Sequence, residues 1–97
     1  MLGTEVGRLE RFPYRAHYAT AEYRRNRLLA YERAHGHCEN PRCGVTLPAG
    51  SSCDHIVPLR DGGSDALDNL QWLCPACVRA KNRADKRRRK EASGPHV

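Results

Sequence analysis

Apolar bulk is scarce in this chain. Its 97 residues include one Trp, one Phe and one Met, and only 39% are hydrophobic. No run approaches the roughly 20 apolar residues of a membrane-spanning helix, which excludes a helical membrane anchor. Met1 to Tyr14 has no apolar stretch like a secretory signal, so the expected location is the cytoplasm. Acidic residues are also in the minority: 11 Asp and Glu against 17 Lys and Arg give a formal charge of +6 and a pI near 9.4. That excess points to a polyanionic partner, and with no apolar span no membrane partner is expected. A chain this short makes one domain at most, with a core small enough to need a staple. Five cysteines are present to supply it. In a reducing compartment, paired cysteines favour metal over disulfide.

Composition divides the chain. Residues 1–15 show no period, and Phe12-Pro13 disfavours helix, so an N-terminal arm is expected. Residues 16–35 are rich in helix formers, and Gly36 follows where a helix-ending glycine belongs. Tyr18, Ala21, Arg25, Leu28, Leu29 and Glu32 fall at helical spacing and predict the buried stripe of a scaffold helix. Arg24, Arg25 and Arg27 on that helix are within reach of phosphate. Residues 37–53 are turn-rich. The run 54–60 (DHIVPLR) is the most strand-like, with Pro58 confining it to an edge or ending it. Asp61-Gly62-Gly63-Ser64 is a turn, and Leu70-Gln71-Trp72-Leu73 a second short strand, so an antiparallel hairpin is expected. After Cys74-Pro75-Ala76-Cys77 comes a strongly helical basic segment, with Pro75 placed to start it. Residues 92–97 read as a flexible tail. The order helix, loop, strand, strand, helix defines a small α+β domain over 16–91, its core at 36–91.

Cys38-x₄-Cys43 and Cys74-x₂-Cys77 form two close pairs about 30 residues apart. A tetrahedral Zn²⁺ takes four soft ligands, and short loops deliver them in pairs. The spacing predicts a structural four-cysteine zinc site that ties the turn-rich loop to the last helix. Free thiols and two disulfides are the competing readings. With zinc and four thiolates the net charge falls to about +4. His37, next to Cys38, is an alternative ligand. Cys53 precedes Asp54 in the first strand, faces the opposite side of the sheet and is expected to be a small core residue.

Asp54-His55 is the sharpest chemical feature. A carboxylate is a hard oxygen ligand suited to Mg²⁺ or Mn²⁺, and an imidazole is a general base near neutral pH. Together they suit hydrolysis of a phosphodiester. Neighbouring strand residues point to opposite faces, so a shared phosphate would have to lie near the strand's end, where twist or a bulge brings both to it.

DHIVPLRDGGSDALDNLQWLCPACVRAK resembles the HNH endonuclease motif. In that family a DH-I-x-P strand leads through a Gly-Gly turn to an Asn, and a C-x-x-C-H-x-x-K helix start follows. The resemblance covers roughly 36–86, and the Cys38/Cys43 pair is similar to the family's zinc-bearing branch. It implies a ββα-metal fold and divalent-metal-dependent cleavage of double-stranded DNA. It also implies His55 as general base, Asp54 as metal ligand and Asn69 as the residue that fixes the loop and orients the base. Phage-encoded and restriction-associated nucleases have chains of this kind.

One position departs from the motif. Where the family has His or Asn directly after the second knuckle cysteine, this chain has Val78, which cannot bind metal. Two readings follow. In the first, Asn82, one turn on, supplies the ligand through its amide oxygen, and two oxygen ligands favour Mg²⁺ or Mn²⁺. In the second, Val78 marks a weakened or inactive nuclease that holds DNA without cutting it. A protein-interaction zinc domain is a third class, disfavoured by Asp54-His55. The final helix carries Arg79, Lys81, Arg83, Lys86 and Arg87, expected to contact DNA phosphates without reading sequence. The chain is expected to act as a monomer or a homodimer.

Overall fold

The computed structural model describes residues 20–93. Helix α1 spans Ala21–Ala34, strand β1 Ser52–His55, strand β2 Leu70–Leu73 and helix α2 Pro75–Ala92. The fold is α+β, with a two-stranded sheet between two helices. The expected arm 1–15, residues 16–19 of the expected first helix and 94–97 of the expected tail lie outside the described residues. Within them, no helix is long and apolar enough to cross a membrane.

Thr20 starts α1: its Oγ1 accepts the Tyr23 N–H at 3.1 Å, satisfying one of the donors a helix N-terminus leaves open. His35 ends it in the left-handed conformation (φ 52°), and Gly36 continues there at φ 76°. The buried stripe is Tyr23, Ala30 and Ala34, with Asn26 half-buried between them. The stripe expected through Leu28 and Leu29 is not the one used, since both are exposed, at 59% and 41%. Small alanines let the helix lie close on β2. The bulk comes from the sheet: Trp72 meets Tyr31 edge-on at 5.1 Å and takes the Arg27 guanidinium over its ring at 4.9 Å. Its indole N–H donates to the Arg27 carbonyl at 3.2 Å.

The strands pair antiparallel, Ser52 with Leu73 through His55 with Leu70. β1 therefore begins two residues before the expected strand and stops at His55. Pro58 and the 3₁₀ turn Leu59–Asp61 carry the chain away. The loop then comes back close to Val57 at Gly63, where any Cβ would collide with the Val57 carbonyl oxygen. One face of the sheet lies on α1, with Cys53, Leu70 and Trp72 in one cluster with Tyr23, Ala30 and Ala34. The other face carries Leu73 into a second cluster with Cys38, Cys74, Cys77 and Val78.

β2 has an open edge, and Glu39 covers part of it. The Glu39 N–H donates to the Trp72 carbonyl at 2.8 Å, and its Oε1 accepts the Trp72 N–H at 2.9 Å. Arg33 grips the same carboxylate with two nitrogens, at 2.7 and 2.9 Å, and also donates to the carbonyls of Leu67 and Leu70. Burial alone would raise the Glu39 carboxyl, but the Arg33 and Trp72 hydrogen bonds outweigh it and hold it below the usual carboxylate range.

Because that value is depressed, the stability Glu39 contributes is fully present above the unfolded carboxylate value of about 4.3 and lost as pH falls through the folded value below it. Glu39→Gln should therefore cost about 1 kcal/mol in urea denaturation at pH 7. The estimate is kept low because the Arg33 side chain is 40% exposed. The difference from wild type should shrink as both are titrated into acid, and a gap that stays constant to pH 3 would contradict this account.

Candidate active site and metal centre

Four sulfurs gather where the 36–47 loop meets the start of α2. The loop is a small hairpin closed by the His37–Thr46 bridge and by hydrogen bonds from Cys38 N–H to Val45 and from Leu47 N–H to Gly36. Cys43 follows a tight turn in which its N–H donates to the Asn40 carbonyl, while Asn40 Oδ1 accepts from Arg42. Cys74 is the N-cap of α2 and Cys77 lies in its first turn. The ligand atoms of Cys38, Cys43, Cys74 and Cys77 all lie within 4.8 Å of one another. Tetrahedral sites with metal–sulfur bonds of about 2.3 Å place sulfurs roughly 4 Å apart, so the set fits a metal ion. N–H groups already aim at the sulfurs: the Cys74 amide at Cys38 Sγ (3.4 Å) and the Asn40 amide at Cys77 Sγ (3.3 Å).

As bare thiols Cys74 and Cys77 titrate unequally. The Cys77 backbone N–H, with donors from the neighbouring thiols, lowers Cys74 to about 7. The Asn40 amide alone would lower Cys77, but burial and the three neighbouring sulfurs push it up to about 12. His37 stands outside the cluster, its Nδ1 3.1 Å from the Gly44 carbonyl oxygen. Cys53 is also outside it, on the α1 face, where burial pushes its thiol up.

Asp54 and His55 sit at the end of β1 and, as strand geometry requires, take opposite faces. The register runs through them without a bulge. Because His55 is the last residue of the strand, both side chains still open on one cleft of about 240 Å³. Lys81, Asn82 and Asp85 of α2 line its far side, and Pro58, Leu59 and Arg60 close it.

On the α2 side, Asp54 Oδ2 accepts from Gln71 Nε2 at 3.3 Å and lies 3.1 Å from Lys81 Nζ. Lys81 Nζ is also 2.6 Å from Asp85 Oδ2, while Arg88 donates to the other oxygen of Asp85 at 3.0 Å. Burial would raise Asp85, but these two cations outweigh it and keep its carboxyl below the ordinary range. On the α1 side, His55 is buried, with Nε2 2.8 Å from Asp65 Oδ1 and its ring stacked on Tyr23 at 5.8 Å. The Asn26 amide holds the Asp65 carbonyl at 2.9 Å.

Asn69 ties the loop that leaves β1. Its amide donates to the carbonyls of Val57 (3.1 Å) and Ser64 (2.7 Å), and its Oδ1 accepts the Val57 N–H at 2.9 Å. Its own carbonyl accepts the Ile56 N–H. It touches the segment beyond His55 and does not line the cleft.

Of the sequence-derived residues, Asp54, His55 and Asn82 therefore meet at one cleft, and the four cysteines at another point. Val78 packs among the cysteines and Leu73. Arg79, Arg83, Lys86 and Arg87 are exposed on the outer side of α2, where the last three line a shallow groove with Lys90. Lys81 is not with them, because its ammonium turns inward to Asp54 and Asp85. Asp65 and Asp85 were missed by sequence reasoning. Asp65 merely follows the 61–64 turn in the sequence, and the only hint for Asp85 is its i,i+4 spacing from Lys81.

A sequence model described as HNH endonuclease matches residues 38–84. No curated protein matches the chain. Among solved structures, the chain is similar to the HNH endonuclease of the deep-sea thermophilic bacteriophage GVE2, determined with manganese ion. The two are 33% identical, with a TM-score of 0.64, over 76% of this chain and 83% of that one. A loop, hairpin and helix that carry four gathered cysteines and an Asp-His pair, together with that likeness, make this chain a member of the HNH endonuclease family.

Proposed function

We propose that the protein is a metal-dependent endonuclease that hydrolyses phosphodiester bonds of double-stranded DNA. The observation that carries this reading is the shared cleft, where Asp54, His55 and Asn82 converge from two elements beside an exposed basic helix face. Asp54 and Asn82 offer oxygen donors for the catalytic ion, and Lys81 already sets a cationic group against Asp54. Mg²⁺ or Mn²⁺ suits those donors, and the manganese in the phage relative's structure supports the choice. Held by Asp54 and Asn82, such an ion would supply charge to polarise the scissile phosphate and stabilise the leaving oxygen. A zinc ion suits the four sulfurs and serves folding.

His55 takes the proton of the attacking water. The Asp65 carboxylate beside Nε2 favours the tautomer that donates a hydrogen bond from Nε2–H and keeps the lone pair on Nδ1, while stacking on Tyr23 keeps the ring from turning. Asn69 acts at one remove, holding the loop that follows His55. Arg79, Arg83, Lys86 and Arg87 neutralise backbone phosphates without reading bases. Val78 contributes packing against the sulfur cluster, which leaves the ligand role on α2 to Asn82.

The deciding assay is conversion of supercoiled plasmid with Mg²⁺ or Mn²⁺. His55→Ala should lose about 10²-fold or more of the activity. Equal conversion by the wild type and His55→Ala would remove the nuclease assignment from this site, and no conversion by the wild type would leave a module that holds DNA without cutting it. Asp65→Ala should lower kcat by about tenfold with little change in KM, and Asp65→Asn should lose less, since its amide oxygen still accepts from Nε2. Full activity in Asp65→Ala would remove Asp65 from the reading. Elemental analysis should find about one tightly held zinc per chain, and stripping it with a strong chelator should abolish cooperative unfolding. An unchanged melting temperature after stripping would exclude a folding role.

A further inference from the structure

We infer that Lys81 is a built-in competitor for the catalytic cation, and that Asp85 is the anion on which it rests when the cation takes Asp54. The inference rests on Asp54 as a ligand of the proposed ion. Lys81 Nζ lies between two carboxylates, 3.1 Å from Asp54 Oδ2 and 2.6 Å from Asp85 Oδ2. All three side chains are largely buried: Lys81 is 17% exposed, Asp54 16% and Asp85 8%. They line the same cleft as Asn82 and His55. The helix explains the arrangement. Lys81 and Asp85 are four residues apart on α2 and share a face, whereas Asp54 comes to them from β1.

Two cations on one carboxylate repel, and they do so strongly in a partly dry cleft. A divalent ion taking Asp54 must therefore turn the ammonium away. Asp85 makes that move short. It already holds Nζ more closely than Asp54 does, it belongs to the same helix, and its charge is kept by Arg88 on the other oxygen. The lysine stem needs only a rotamer change to give up Asp54. Its ammonium thus lowers the affinity of Asp54 for metal, while Asp85 limits that effect by drawing it aside. Asp85 acts on the ion through Lys81 and is not itself a ligand.

The test is Mn²⁺ binding to the zinc-loaded full chain, read from the electron paramagnetic resonance of free Mn²⁺, with zinc content and melting temperature checking that each variant folds. Lys81→Met should tighten Mn²⁺ about tenfold, and Lys81→Arg, which keeps the charge, should stay near wild type. Asp85→Asn should weaken Mn²⁺ while Lys81 is present and change it by less than about twofold in the Lys81→Met background, a non-additivity expected of coupled neighbours. Unchanged or weaker binding in Lys81→Met overturns the competition. Equal weakening by Asp85→Asn in both backgrounds makes Asp85 a direct ligand and overturns its resting role. Asp54→Asn separates these failures from that of the site itself. If it leaves Mn²⁺ binding intact, the ion does not use Asp54, and the inference falls with the assignment.

Discussion

Two four-residue strands make too little sheet to hold two helices in place, and the four sulfurs gathered within 4.8 Å of one another mark where a bound metal ion would make up the shortfall. The cluster lies where the 36–47 loop meets the first turn of α2, so an ion held there would fix the direction in which that helix leaves the sheet. The α2 residues that line the cleft follow the cluster along the same helix. Lys81 follows Cys77 by one turn, Asn82 comes next, and Asp85 lies one turn further. The apolar companions of the sulfurs, Leu73 and Val78, extend the anchor into a small core of its own. The staple and the cleft are thus successive stretches of one helix face.

The sheet divides the chemistry between its sides. Asp54 faces α2 and is surrounded by side chains that set charge: Lys81, Gln71 and, through Lys81, Asp85. His55 faces α1 and is surrounded by groups that set orientation: Tyr23 against the ring and Asp65 on Nε2. Placing both residues at the strand's end lets them share a cleft without a bulge. Asn69 keeps that end from fraying by closing the loop back on Val57 and Ser64. The same helix then sorts its basic residues. Arg88 and Arg89 are held by Asp61 and Asp85, Lys81 is turned inward, and Arg79, Arg83, Lys86 and Arg87 remain on the outside.

What the sequence made legible was local. Cysteine pairs announce themselves by spacing, a Gly-Gly turn between short apolar runs announces a hairpin, and Pro75 after a cysteine announces a helix start. Asp54, His55, Asn69 and Asn82 could be chosen because short motifs carry them. What stayed hidden depended on contacts between distant segments. Asp65 reaches His55 only after the loop closes, and in the sequence it is one polar residue just past a turn. The buried face of α1 was misjudged because Leu28 and Leu29 look like core. Trp72 supplies the bulk instead, so the helix needs alanines beneath it. β1 starts earlier than its apolar run because pairing with Leu73 reaches back to Ser52, and backbone pairing leaves no hydropathy signal.

The stretch that matches the family, 38–84, leaves out α1 altogether. Yet Tyr23 forms one wall around the imidazole, Asn26 steadies the carbonyl of the aspartate beside it, and Arg33 fastens β2 to the loop. The smallest working unit is therefore larger than the recognisable motif. A transplant cut at the motif's borders would carry every signature residue and still leave its histidine with water where an aromatic ring should be.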